Sequence, residues 1–101
     1  MKYKEIQYSL SRHYDDMCFQ ADIFIVQEAK KLMELHPLLN KFCIAMGTWC
    51  FYDENGKPID EEDYAYIRNS NLAKFIHEWD DYLKLTGNPI KIENGKVLRD
   101  W

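Results

Sequence analysis

The sequence predicts a small α+β domain dominated by helices, three to four of them, with a short antiparallel sheet. Three observations lead there. Apolar residues recur at helical spacing from Tyr14 to Leu35 and again at Leu72, Phe75, Ile76, Trp79 and Leu83. The dipeptide Asn94-Gly95 separates two short runs, 90–93 and 96–99, and is the strongest short hairpin signal because both residues tolerate positive φ. A hydrophobic content of 47% in 101 residues fills one core and leaves no room for a second, so residues 1–101 read as a single compact domain.

Ile6, Tyr8 and Leu10 alternate with Glu5, Gln7 and Ser9, the period of a half-buried strand. Ser11 is placed to cap a helix whose first turn carries Asp15 and Asp16, the sign that the helix dipole favours. Its stripe is Tyr14, Cys18, Ala21, Ile25, Leu32 and Leu35. Ile23, Phe24 and Val26 widen the stripe, so this helix is expected to pack on more than one side. Pro37 stops it.

Residues 38–52 admit two readings. Leu38, Leu39, Phe42, Cys43, Met46, Trp49 and Cys50 fit one helical face, and a helix through Met46 with a break at Gly47 is preferred. The run 48–52, followed by Asn55-Gly56, also reads as a strand entering a hairpin. Either way the segment is central.

Asp60 can cap a further helix, with Glu61, Glu62 and Asp63 in its first turn and Tyr64 through Arg68 continuing it. Asn69-Ser70-Asn71 offers a break and a new cap for the helix that carries Leu72 to Leu83. Gly87 is set for its C′ position, and Pro89 prevents continuation. A two-residue loop at Asn94-Gly95 places Glu93 opposite Lys96 and Ile92 opposite Val97. Two strands alone are marginal, so the strand at 6–10 is expected to join them.

Composition excludes several functions. Apolar runs such as 23–26 and the longest, 42–46, are far too short for a membrane span, and the N-terminus lacks the apolar stretch of a secretory signal. A soluble, cytoplasmic protein is expected. Lys+Arg 13 against Asp+Glu 17 gives a net charge of −4. Residues 1–52 balance at six of each sign, whereas residues 53–101 carry seven basic and eleven acidic groups. No cluster of Lys or Arg appears, so direct nucleic-acid binding is not expected, and an acidic face favours a basic protein surface as partner. Cys18, Cys43 and Cys50, each among apolar neighbours, read as reduced core residues without a disulfide.

Motifs for chemistry are sparse. His77-Glu78-Trp79-Asp80-Asp81 partly follows the helical metal pattern, in which ligands four apart share a face. The second histidine is missing and no third ligand is in view. His13 and Asp16 repeat the idea at i, i+3. His36, Cys43 and Cys50, spaced by seven, would stand roughly 10 Å apart on a helix, too far for one ion. The acidic stretch 53–63 has the composition of a calcium loop. With Gly56 at position six, however, position one falls on Phe51 and position eight on Pro58. No nucleophile elbow, P-loop, dinucleotide fingerprint or C-x-x-C occurs. No catalytic residue, metal site or cofactor is assigned, and a metal-dependent hydrolase around His77 and Asp81 is the residual enzymatic reading.

What remains is aromatic and acidic. Three Trp, seven Tyr and five Phe are more than a core of this size needs, and Tyr52, Tyr64, Tyr66 and Tyr82 are expected at the surface. The candidate binding residues are Asp53, Glu54, Asp60, Glu61, Glu62 and Asp63 with Tyr64, Tyr66 and Tyr82. If the helix bearing Glu78, Asp80 and Asp81 lies beside them, spaced carboxylates would imitate a phosphate backbone. The expectation is a small acidic, non-enzymatic protein that binds and blocks or adapts a basic, nucleic-acid-handling protein. Phage and mobile-element inhibitors of the anti-CRISPR or anti-restriction type act in this way. The alternative is a small-molecule or nucleotide binder with an aromatic pocket, for which a homodimer interface is one location.

Overall fold

In the computed structural model, which describes residues 14–86 and 89–98, two long helices pack on one face of a five-stranded antiparallel sheet. Helix α1 spans Tyr14–Leu35. Its buried residues Ala21, Phe24, Ile25, Ala29 and Leu32 form one stripe. Ile23, expected to widen that stripe, is 38% exposed, and Leu35 is 66% exposed. Phe24 is buried and Val26 packs against the core, so the stripe is widened as expected at these two positions and not at Ile23. The His36 N–H closes the last turn on the Leu32 carbonyl at 2.9 Å, and Pro37 follows. The expected strand at 6–10 and the cap at Ser11 lie outside the described residues.

Strands β1 (Lys41–Ala45) and β2 (Thr48–Tyr52) form a hairpin, which corrects the expected helix through Met46. Helical spacing and strand alternation coexist here: Phe42 and Ile44 are buried, whereas Lys41, Cys43 and Ala45 are not. The hairpin wins for two reasons. Met46 and Gly47 both take positive φ, 54° and 82°, the type I′ arrangement that reverses a strand. Strand β1 also gains a second neighbour, β4 (Ile90–Glu93), so its pairing on both sides decides what the local period leaves open.

The Asn55-Gly56 turn leads into the edge strand β3 (Pro58–Ile59), as the hairpin reading of this segment predicts. Pro58, which has no N–H to donate, stands at the sheet edge. The continuous helix expected from Asp60 through Arg68 is instead split. A 3-10 helix at Glu61–Asp63 and a single turn, α2 (Ala65–Arg68), flank an extended Tyr64 at φ −139° and ψ 130°. The Asp63 carboxylate turns back to accept the Asp60 N–H at 2.8 Å and closes the first piece.

Helix α3 spans Asn71–Thr86, and Ser70 Oγ caps it by accepting the Ala73 N–H at 3.1 Å. Leu72, Phe75, Ile76 and Leu83 are buried along it, as the stripe predicts. The helix is interrupted at Trp79, whose φ and ψ are −112° and 15°. The C′ role read for Gly87 lies outside the described residues. Asn94 and Gly95, at φ 53° and 76°, join β4 to β5 (Lys96–Leu98) with Glu93 opposite Lys96 and Ile92 opposite Val97, the predicted register.

The sheet order is β3-β2-β1-β4-β5. Its inner face supplies Phe42, Ile44, Phe51, Ile59, Ile90 and Ile92 to a core shared with both helices, where Phe24 meets Phe75 at 4.7 Å between ring centroids. Alternation sends Lys41, Cys43, Cys50, Tyr52, Lys91 and Glu93 to the outer face. Cys43 and Cys50 are accordingly half-buried on that face and not in the core where their apolar neighbours place them by sequence.

Candidate interaction surface

The acidic run is organised by backbone turns. The Asp53 N–H donates to the Lys57 carbonyl at 3.0 Å, and the Gly56 N–H to the Asp53 carbonyl at 3.0 Å. Asp53 Oδ1 then accepts the N–H groups of Asn55 and Lys57 at 2.8 and 2.9 Å, a local bonding pattern that short carboxylate side chains favour in turns. Asp63 is fixed in the same way by the Asp60 N–H. Among the described residues, the second carboxylate oxygen of each has no hydrogen-bond partner.

Asp53 and Asp63 line one cleft of about 360 Å³, together with Leu38, Lys57, Ile59 and Tyr64. Tyr64 is 39% exposed. Its ring stacks on Tyr66 at 5.2 Å, and Tyr66 stacks on His36 at 3.6 Å with planes 11° apart. A three-ring ladder thus ties the cleft to the end of α1. Burial, and then the neighbouring Tyr64 hydroxyl, push the Tyr66 phenol above its ordinary pKa.

Glu61 connects the acidic segment to α3. His77 Nε2 lies 2.7 and 2.8 Å from the two Glu61 carboxylate oxygens. Helix α3 carries Glu78, Asp80 and Asp81 just beyond that contact, so the two acidic segments adjoin. Arg68 Nη1 donates to the Glu62 backbone carbonyl at 3.2 Å and not to its carboxylate. Among the described residues no Lys or Arg lies within 4 Å of the carboxylates of Asp53, Glu54, Asp60, Glu62 or Asp63.

The predicted site residues are therefore partly gathered. Asp53, Asp63 and Tyr64 share the cleft, Asp60, Glu61 and Glu62 border it in the chain, and Tyr66 backs it. Glu54 sits exposed in the turn and does not line the cleft. The side chain of Tyr82 lies outside those described. Tyr52 faces the outer side of the sheet, with Lys41 Nζ 4.9 Å from its ring centroid.

Two contributors were not read from the sequence. His36 enters the aromatic ladder through a tertiary contact that no local pattern announces. His77 pairs with Glu61, and the non-helical residue Trp79 lies between His77 and Asp81. His13 and the side chain of Asp16 lie outside the described residues. No group of three or more His, Cys, Asp or Glu side chains able to hold a metal ion occurs among the described residues. Nor is any described helix long and apolar enough to cross a membrane. Comparison with protein-family models, curated proteins and solved structures finds no match.

Proposed function

We propose that this chain is a small non-catalytic binding protein whose acidic edge occupies a basic surface of a nucleic-acid-handling protein and blocks or adapts it. This is the task of anti-defence inhibitors carried by phages and mobile elements. The observation that supports this reading is the cleft, where Asp53 and Asp63 face the same space beside an exposed tyrosine ring. A guanidinium group entering it would find carboxylate acceptors and an aromatic face, the two features that hold arginine at interfaces. The unpaired acids around it add a field that steers a basic partner and raises the association rate.

The test uses two baits in a nuclease-treated lysate of the native host: the natural protein and a variant carrying Asp60→Asn, Glu61→Gln, Glu62→Gln and Asp63→Asn. The amides keep acceptors for the Asp60 N–H and for His77, so the fold is expected to persist. The natural bait should retain a stoichiometric basic partner that duplex DNA displaces, and the amide bait should lose it. Equal retention at low salt by both baits contradicts the proposal.

A further inference from the structure

We propose that Cys43 and Cys50 form a dithiol site that reacts with a low-molecular-weight disulfide and closes into an intramolecular disulfide across β1 and β2. The register places the two residues directly opposite each other. The two-residue Met46-Gly47 loop makes Ala45 and Thr48 a hydrogen-bonded pair, and alternation along the ladder makes Cys43 and Cys50 another. Such pairs hold their Cα atoms about 5.5 Å apart, within the range that a disulfide spans. Their Cβ atoms stand at the wide end of about 4.5–5.5 Å, so closure draws the two strands together locally. Both side chains leave the same face of the sheet, both thiols are free, and neither is fully buried.

Access and freedom to rotate are also present. Both residues line a depression of about 210 Å³ on the outer face, with Thr48, Tyr52, Pro89 and Lys91. The Cys50 thiol donates to the Phe51 carbonyl at 3.0 Å and makes longer contacts to the Ile59 carbonyl at 3.6 Å and Asp60 Oδ1 at 3.8 Å. Thiols are weak donors, so a χ1 rotation toward Cys43 gives up little. In the reaction, one protein thiolate attacks a sulfur of glutathione disulfide, forming a mixed disulfide and releasing one glutathione thiolate. The second protein thiolate attacks the protein sulfur of that mixed disulfide and releases the second. The two protons lost by the protein reside on two molecules of reduced glutathione, which carry the two electrons. This proposal does not rest on the function proposed for the acidic edge, although Cys50 touches Asp60 of that edge.

The test equilibrates the Cys18→Ser protein in glutathione redox buffers, folded and in urea, and maps the trapped products by mass spectrometry. The tryptic peptide 42–68, uncut at Lys57 because Pro58 follows it, should lose two hydrogens, and cleavage at Met46 should leave its two halves joined. Cys43→Ser or Cys50→Ser should each abolish the linkage. The equilibrium constant should be larger in the folded protein than in urea, because the register presents the thiols to each other. Free thiols, separate glutathione adducts on each cysteine, or a constant no larger than in urea would overturn the proposal.

Discussion

His77 Nε2 sits between the two carboxylate oxygens of Glu61, at 2.7 and 2.8 Å, across a sequence separation of 16. The contact joins the 3-10 helix to α3, the helix that carries Glu78, Asp80 and Asp81. It contributes little to stability, because the His77 side chain is 62% exposed and solvent screens the pair. A double-mutant cycle with His77→Ala and Glu61→Gln, read by urea unfolding, should give a coupling below about 1 kcal/mol. That coupling should shrink further in high salt.

The hairpin turns make opposite predictions at two positions. Met46 adopts φ 54° with its side chain 58% exposed, so it bears the left-handed cost without compensating burial. Met46→Asn should stabilise the protein by about 1 kcal/mol, since asparagine tolerates this conformation. Gly95 has φ 76° and nothing within 4 Å of an added Cβ. Gly95→Ala should therefore cost about 1–2 kcal/mol through backbone strain alone. Denaturant midpoints at constant m-value would show both signs.

Burial pushes the Cys50 thiol above its ordinary pKa, and the Asp60 charge adds to the effect. The unfolded chain then ionises this thiol at lower pH than the folded one. Its contribution to stability is full below the ordinary thiol pKa and is lost as pH rises through the raised value. Tyr52 and Tyr66, both raised chiefly by burial, act in the same direction at higher pH. Urea midpoints should fall between about pH 8 and pH 11, and Cys50→Ala should flatten the lower part of that fall. A midpoint that rises over this range would contradict the assignment.

Elements whose signal is local were legible in the sequence. The stripe of α3, a cap within Asn69-Ser70-Asn71 and the register set by Asn94-Gly95 follow from residues a few positions apart. The segment 38–46 was not legible, because Leu39, Phe42, Cys43 and Met46 satisfy a helical period while Lys41, Cys43 and Ala45 alternate with buried Phe42 and Ile44. Pairing with β4, nearly fifty residues later, settles the choice, and no window around Phe42 contains that information. The acids of the candidate surface could be read from charge density alone. Their grouping could not, since the cleft depends on a turn that brings Asp53 to Asp63 and on the stack of Tyr64, Tyr66 and His36.

Under the proposed function, the Asp53–Asp63 cleft and its tyrosine receive a basic group. The most direct measurement is a nitrogen-15 NMR titration of the natural protein with a short arginine-rich peptide. Shifts should concentrate at Asp53, Lys57 and residues 60–66, weaken with added salt, and leave Cys43, Thr48 and Lys91 on the outer sheet face unmoved. Shifts that centre on that outer face, or none at low salt, would contradict the account.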